Sequence, residues 1–392
     1  MSKSAQNTKH SAATKRILSI DGGGIRGCLT LGYLQKIEDI VRMRLDKPDA
    51  VLSDYFDLIG GTSTGGLIAA QLALGFDVAT VRKNYQTMGP IVFSKPAHWA
   101  KHVPLFGSLR NKLYTKWAVQ PLELQIKSVI SDKMTLGSSN IKTGLCIITK
   151  RADNFSTWPF INHPDGKFFD DNADIPLWKI LRASSAAPTF FYPMELDVGL
   201  PTEPDLGMFI DGGVSTANNP AMQLFLVATL SGFPYRWPAG EDQLSIVSIG
   251  TGSWKRGLEK KSLRKPGNLF WANQVPEMLM QDAGDNVELM MQYLSNSPTN
   301  RYSNFEIQDL ANDVLMGKPA FAYTRYNAEI ETADNFQKHS KSRNQQIIEV
   351  LSKYDQASIE RLREMDNGGN TKELLELGDL FAEEEVADAH IK

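Results

Sequence analysis

Apolar residues in the first part of the chain form short runs and helically spaced stretches, with glycine-rich turns between them. Arg16 to Ile20 reads as a short strand that leads into the turn Asp21-Gly-Gly-Gly-Ile-Arg-Gly27. From about Leu29 to Leu45, apolar positions recur every three or four residues, which predicts an amphipathic helix. Strand, turn and helix repeat between Phe56 and Leu74. This alternation predicts an α/β fold with a mostly parallel central sheet covered by helices.

Further strand-like runs follow along the chain. They are Leu145 to Ile148, Met208 to Ile210 and Leu244 to Ile249, and the last two end in the turns Asp211-Gly212-Gly213 and Gly250-Thr251-Gly252. Functional loops gather at the carboxyl ends of the strands in such sheets. We therefore expect these turns to converge.

Charge and composition narrow the partners and the compartment. The 392 residues carry a net charge of -3, so we expect no nucleic acid polymer as a partner. Two cysteines, Cys28 and Cys146, favour a reducing, cytoplasmic environment. No run reaches the roughly 20 apolar residues that span a bilayer, and the longest, Leu224 to Leu230, suits a buried helix. Contact with a membrane is therefore expected to be peripheral, at its inner face.

Two basic stretches are candidates for that contact. Between Val78 and Leu122 there is no acidic residue, and a second basic run covers Lys255 to Lys265. Amphipathic aromatic side chains beside lysine and arginine suit a membrane interface, and a solvated basic face with core aromatics is the equal alternative. The first stretch interleaves Lys95, Lys101, Arg110, Lys112 and Lys116 with Trp99, Phe106, Tyr114 and Trp117.

The last part of the chain is predicted to be helical. From about Pro276 a helical pair is expected, and it carries Met278, Met280, Met290 and Met291. Such methionines form pliable surfaces in some proteins and more often fill an irregular core. We expect a disordered tail over residues 1–15, a catalytic domain over 16–325 and a helical extension over 326–392.

The stretch Gly61-Thr-Ser63-Thr-Gly65 has the pattern of a nucleophile elbow. It lies between an apolar run that ends at Ile59 and a helical pattern that starts at Leu67. In such an elbow, small neighbours allow a strained turn that presents a serine hydroxyl to a substrate carbonyl. Ser63 is therefore the candidate nucleophile.

Asp211 is the candidate base for Ser63. The histidines are His10, His98, His102, His163, His339 and His390, and none follows a strand in a glycine turn. A carboxylate can take a serine proton if its surroundings raise its pKa toward neutrality. Gly212 and Gly213 leave room for another backbone or a substrate beside Asp211. The alternative is a turn aspartate that hydrogen-bonds its own loop.

The turn from Asp21 to Gly27 predicts an anion site, because its backbone amides stand at the start of a helix. As G-x-G-x-x-G, through Gly22, Gly24 and Gly27, it could hold a dinucleotide pyrophosphate, although the carboxylate of Asp21 would oppose that anion. It could instead hold the oxyanion of an ester under attack, through the amides of Gly23 and Gly24. Arg26 could assist that charge or support the turn.

These three motifs, in this order, resemble the patatin-like phospholipase family. The likeness extends to Arg182-Ala-Ser-Ser-Ala-Ala-Pro-Thr-Phe-Phe191, Ala217-Asn-Asn-Pro220, Ser248-Ile-Gly-Thr-Gly252 and Arg325-Tyr-Asn327. It implies a patatin-like three-layer fold and a lipid acyl hydrolase of membrane phospholipids, with a Ser63–Asp211 dyad, an oxyanion loop over Gly22 to Gly27, and neither metal nor cofactor.

The resemblance also raises the question of regulation. Small bacterial members of the family resemble effectors that a cyclic nucleotide activates in anti-phage defence, and the helical extension could supply such a switch. A constitutive housekeeping lipase and a non-catalytic nucleotide-binding module are the competing interpretations, and a homo-oligomer stays open.

Overall fold

The structure is a computed structural model that describes residues 14–93, 115–199, 202–254, 263–264, 267–301, 310–340 and 344–392. The strands are β1 Lys15–Ile20, β2 Leu58–Thr62, β3 Gly144–Arg151, β4 Thr157–Ile161, β5 Met194–Asp197, β6 Leu206–Asp211, β7 Leu244–Ile249, β8 Ser295–Asn296 and β9 Phe321–Tyr326. The helices are α1 Gly27–Leu45, α2 Thr64–Ala73, α3 Val78–Val92, α4 Val119–Ile130, α5 Phe169–Asn172, α6 Leu177–Ser184, α7 Ala221–Thr229, α8 Asn268–Tyr293, α9 Ala333–His339, α10 Gln345–Leu351, α11 Gln356–Arg363 and α12 Thr371–Glu385.

The strands form one mostly parallel sheet in the order β5-β6-β3-β2-β1-β7-β9-β8, with β4 also paired to β3. Every strand from β3 to β8 in this order runs parallel to its neighbour. The exceptions are β4, β5 and β6, which pair antiparallel. The predicted α/β sheet is confirmed.

Residues alternate between the two faces of the sheet, and each face has its own apolar core. On β3, Leu145 and Ile147 belong to the larger core, while Cys146 and Ile148 belong to the smaller one. Strands buried on both faces are expected in parallel sheets, because helices cover both sides. Helices α1, α2, α3 and α12 contribute to the larger core, and α7 and α8 to the smaller. The fold is therefore three-layered.

The strand before the elbow starts later than its apolar run suggested. Tyr55 and Phe56 are buried in the connection, and β2 begins at Leu58. Strand β9 was not predicted at all, although all six of its residues are buried. Its sequence, Phe-Ala-Tyr-Thr-Arg-Tyr, mixes residue types that give no clear apolar run.

The methionine-bearing segment is one helix, α8, and the predicted helical pair is wrong. Gly284 lies inside this helix, where a glycine costs only about 1 kcal/mol relative to alanine. Met291 is fully buried, whereas Met278, Met280 and Met290 are exposed. Core filling is therefore the wrong interpretation for three of the four.

Most of the predicted basic and aromatic positions lie outside the described residues. They are Lys95, Trp99, Lys101, Phe106, Arg110, Lys112, Tyr114 and, in the second run, all but Leu263 and Arg264. Lys116 and Trp117 are described, and both contact the carboxylate of Asp366, at 2.5 and 2.9 Å. At these two positions the aromatic and the lysine face the protein.

The helices after β9 share the larger core with the sheet. Leu374, Leu377 and Phe381 of α12 are buried in it, and α12 packs directly on α1. The two helices meet at glycines: a methyl group on Gly32 would come within 2.1 Å of the Gly378 carbonyl carbon. The boundary near residue 325 stays a prediction, since the extension and the sheet are packed as one core.

Gly32→Ala tests this close helix crossing. Alanine favours a helix by up to about 1 kcal/mol over glycine, but here its methyl would force α1 and α12 apart, which we expect to cost about 1–3 kcal/mol net. Thermal or urea unfolding measures the change. Gly284→Ala is the matched control, because no atom lies within 4 Å of its added methyl and stability should rise slightly. Equal gains in both variants would contradict the close crossing.

Candidate active site

The centre of the site lies where two strands, β2 and β6, end next to each other on the same edge of β3. β2 runs parallel to β3 and ends with Thr62 opposite Ile148, whereas β6 runs antiparallel and ends with Asp211 opposite Thr149. β4 pairs with β3 across the same positions, so it takes the other edge. The residues that follow β2 and end β6 therefore meet, and a methyl group on Gly212 would lie 2.7 Å from the Ile148 carbonyl oxygen.

Ser63 occupies a strained turn between β2 and α2. Its φ of 55° and ψ of -122° lie in a region that residues with a side chain rarely adopt. The turn is tight enough that a methyl group on Gly61 would come within 2.2 Å of the Gly65 carbonyl group. On the other side, a methyl group on Gly65 would come within 2.2 Å of the Ile20 carbonyl oxygen. The geometry is that of a nucleophile elbow.

Ser184, for which no role was predicted, anchors the elbow. The Ser63 amide donates to the Ser184 hydroxyl at 2.8 Å, and that hydroxyl donates to the Ile148 carbonyl at 2.6 Å. Ser184 is fully buried at the end of α6. The Ser63 amide is thus occupied, and the strained turn is tied to β3. The serine pair in the Arg182 to Phe191 motif was the only sequence signal.

Asp211 is buried and has no cation among the groups that shift its pKa. Burial raises the pKa of this carboxyl to about 6, against the lowering effect of hydrogen bonds from the Ser63 side chain and the Gly213 amide. The Gly213 amide donates to it at 2.7 Å. A carboxylate with such a pKa, hydrogen-bonded to a serine hydroxyl, can accept the serine proton near neutral pH.

The loop from Gly22 to Gly27 lies beside Ser63 and is held on several sides. The Gly22 amide donates to the Asn218 carbonyl at 3.0 Å, and the Gly22 carbonyl accepts from Thr251 at 2.8 Å. Gly24 has a φ of 60°, and a methyl group there would come within 2.1 Å of the Met365 carbonyl oxygen. A methyl group on Gly27 would lie 2.8 Å from the Thr64 hydroxyl. Glycine is therefore required where this loop meets its neighbours.

The Gly23 and Gly24 amides are the available donors of this loop. Both residues line the pocket that contains Ser63. Within the described part of the chain, neither amide donates to another backbone group. Backbone amides aimed at the nucleophile are suited to an oxyanion.

Arg26 turns toward the protein. Its Nε lies 3.4 Å from the Gly23 carbonyl oxygen, and its guanidinium lies 4.8 Å from the ring centre of Trp254. Both contacts agree with a role in supporting the turn.

Asp21 forms a buried ion pair with Arg325 of β9. Two guanidinium nitrogens donate to its two carboxylate oxygens at 2.9 and 2.6 Å, and the same side chain contacts the Ser248 hydroxyl at 2.8 Å. Burial raises the pKa of Asp21 and Arg325 opposes that rise. The pair fixes the start of the glycine loop. This is the role of Arg325, which could not be assigned from the sequence.

A mostly apolar pocket of about 900 Å³, including its open mouth, leads to Ser63 and Asp211. It is lined by the glycine loop, Ser63 and Asp211, and by residues of α2, α3, α4, α8 and the segment after α6. The apolar walls include Ile25, Leu67, Met88, Val92, Phe93, Leu122, Phe190, Phe191, Val214, Met280 and Met365. The shape and lining suit a long apolar group whose polar end reaches Ser63.

No described histidine reaches this pocket. The His163 ring lies against Tyr235, and His390 contacts the Tyr326 hydroxyl at 3.0 Å; His10, His98 and His102, and the side chain of His339, lie outside what the structure describes. Among the described residues, no cluster of three or more potential ligands could hold a metal ion. Nor is any described helix both long and apolar enough to cross a bilayer.

A sequence model of the family described as "Patatin-like phospholipase" matches residues 18–225, which include all three glycine turns up to Asp211. The chain belongs to the patatin-like phospholipase family. It is an enzyme of the carboxylic ester hydrolase class, acting on lipid acyl groups.

Relatives within the family differ in what their names state. The chain is 32% identical over 258 residues to a "cGAMP-activated phospholipase" of Vibrio cholerae, covering 63% of this chain and 67% of the relative. It is 30% identical over 349 residues to "Patatin-like protein 2" of Arabidopsis thaliana, covering 81% and 79%. "Probable inactive patatin-like protein 9" of the same plant is 26% identical over 287 residues, with 72% of each chain covered.

Asp211→Asn tests the cost of the buried carboxyl. Below pH 3.8 the Asp211 carboxyl is protonated in both the folded and the unfolded protein. Between pH 3.8 and about 6 it ionises only in the unfolded chain, so the free energy of unfolding falls as pH rises. At about 1.4 kcal/mol per pKa unit, the ionised carboxylate costs at most roughly 3 kcal/mol at neutral pH. The variant should therefore melt higher than the parent at pH 7 and equally at pH 3.5.

Asp77→Asn is the control for this experiment. Hydrogen bonds from Thr80 lower the pKa of Asp77 at the start of α3, so its replacement should bring no stability at pH 7. A gain for Asp211→Asn that is the same at every pH would contradict the buried charge.

Proposed function

We propose that the protein is a phospholipase A type hydrolase that cleaves membrane glycerophospholipid esters through Ser63 and Asp211. The observation that carries this proposal is a buried carboxyl, that of Asp211, which interacts with the Ser63 side chain and whose pKa burial raises to about 6. Ser63 and Asp211 both line a mostly apolar pocket. An acyl chain fits the walls, and its ester carbonyl then faces the nucleophile.

The reaction proceeds in two halves. Asp211 accepts the Ser63 proton as Oγ attacks the ester carbonyl, and the Gly23 and Gly24 amides donate to the oxyanion. Collapse of the tetrahedral intermediate expels the lysolipid alcohol, which takes the proton from Asp211, and leaves an acyl-serine. Asp211 then takes a proton from water, the hydroxide attacks the acyl-serine, and fatty acid is released as Ser63 regains its proton.

The loop that supplies the oxyanion amides is unsuited to a dinucleotide. The Gly22 amide is already bonded to Asn218, and the Asp21 carboxylate stands at the start of the loop with its charge matched by Arg325. A pyrophosphate would displace the first contact and lie beside the second. These contacts favour hydrolysis over the nucleotide-binding module.

Ser63→Ala and Asp211→Asn should each remove fatty-acid release from phospholipid micelles. The first loses the nucleophile, with a rate loss of at least about a thousandfold, and the second loses the base, with a loss of about a hundredfold to ten-thousandfold. In the parent, kcat/KM should rise with pH and level off above about 6, because Asp211 must be ionised. Ser128→Ala and Asp39→Asn, at exposed positions, are matched controls that should keep the parent rate. Parent-like turnover in either active-site variant would refute the dyad.

Activation by a cyclic nucleotide is part of the proposal, and with it a role in anti-phage defence by degrading the host membrane. Its support is the 32% identity to a relative named a cGAMP-activated phospholipase. An unregulated phospholipase beside a membrane would damage its own cell, so a switch is physically reasonable.

Adding cGAMP to the purified protein should raise phospholipid hydrolysis by about tenfold or more, the differential affinity that a coupled ligand commonly supplies. Fatty-acid release with and without cGAMP measures this, with cyclic AMP as the ligand control and Ser63→Ala as the blank. Equal and substantial rates of the parent with and without cGAMP would identify a constitutive lipase instead.

A further inference from the structure

In the first half of α8, large apolar side chains lie on the face that is exposed to solvent. Successive helix residues turn by 100°, so Trp271, Val275, Met278 and Leu279 fall within one stripe. The stripe is opposite Val287 and Met291, which are buried against the sheet. Exposed fractions of the stripe residues are 37, 43, 48 and 62%, in chain order. We call these four residues the α8 stripe.

The stripe is continuous with the mouth of the catalytic pocket. Met280 follows Leu279, 100° further round α8, and lines the pocket that contains Ser63. Met280 is still 43% exposed, and Val214, just after the Asp211 turn, is 38% exposed and also lines the pocket. Exposed apolar side chains therefore run from the stripe, through Leu279, to Met280 at the pocket.

We propose that the α8 stripe enters the surface of a lipid bilayer and places the pocket mouth against it. The inference rests on the proposed function, since a phospholipid held in a bilayer must pass from that surface to Ser63. Tryptophan suits the interface because its ring is apolar and its N–H is polar. Leucine, valine and methionine enter the acyl region.

A second copy of the chain is a poorer occupant of the stripe. Four side chains of at most about 250 Å² each, about half exposed, offer no more than about 500 Å². A stable dimer needs about 800 Å² from each partner. Shallow insertion into a bilayer needs no matching surface. Asp282 follows on the same face and marks the end of the stripe, where the helix returns to water.

The test compares two substrates in one set of variants. Met278→Asp/Leu279→Asp should lower hydrolysis of vesicles of equimolar phosphatidylethanolamine and phosphatidylglycerol, divided by hydrolysis of a dissolved short-chain ester, by about tenfold or more. Co-sedimentation with the same vesicles should fall in parallel. Met43→Asp, at an exposed methionine of α1, is the matched control and should keep the parent ratio. If the parent cleaves neither substrate, the proposed function fails, whereas an unchanged ratio in the double variant overturns this inference alone.

Two further measurements keep the outcome clear. Quenching of tryptophan fluorescence by brominated lipids in the parent, and its decrease in Trp271→Phe, reports insertion without a charged substitution; equal quenching in both proteins counts against the stripe. A parent that sediments as a dimer, with a monomeric double variant that still binds vesicles, would assign the stripe to a second copy and overturn the proposal.

Discussion

The head-to-head meeting of β2 and β6 on one edge of β3 is the constraint on which the site depends. Ser63 and Asp211 are 148 residues apart in the numbering, yet main-chain pairing to Ile148 and Thr149 sets their positions. Arg151 of β3 supports the pairing with β6, because its guanidinium donates to both carboxylate oxygens of Asp205, just before β6, at 2.6 and 2.5 Å. A strand parallel to β3 in the place of β6 would present its amino end to Ser63, whereas β6 presents its carboxyl end. The antiparallel turn of β6 is thus a requirement of the site.

Two aspartates stand before glycine turns, and their surroundings give them opposite roles. Asp21 is buried against Arg325, whose two donors hold its carboxylate and with it the start of the glycine loop. Asp211 is buried beside Ser63 and the Gly213 amide, and no cation is among the groups that shift its pKa, which burial raises to about 6. Burial raises the pKa of both carboxyls, but only at Asp21 does a neighbouring cation, the Arg325 guanidinium, oppose that rise. The sequence pattern Asp-Gly-Gly is the same at both positions. The two carboxyls differ because Asp21 is paired with the Arg325 guanidinium and Asp211 is not.

The sequence pattern predicted those elements that are determined by residues close together in the chain. Strand, glycine turn and helix were visible around Gly22 and Ser63 because apolar spacing and small residues determine them directly. The convergence of the turns was expected from parallel strand ends, although β6 reaches Ser63 by running the other way. Arg325 and Ser184 could not be given roles, since their partners lie 304 and 121 residues away. The exposed methionines of α8 were misread because helical spacing does not tell which face meets the core.

The chain after β9 contacts the glycine loop from Gly22 to Gly27 and also contributes to the larger core. The Ile25 amide donates to the Met365 carbonyl at 2.8 Å, and Gly24 is glycine because that carbonyl leaves no space for a side chain. The next residue, Asp366, lines the pocket and holds Lys116 and Trp117 on its far side. Moving this short segment would therefore move the Gly23 and Gly24 amides relative to Ser63. A ligand that binds one position of the segment more tightly than another would shift the population toward that position, and so move the Gly23 and Gly24 amides, with no contact to Ser63 or Asp211.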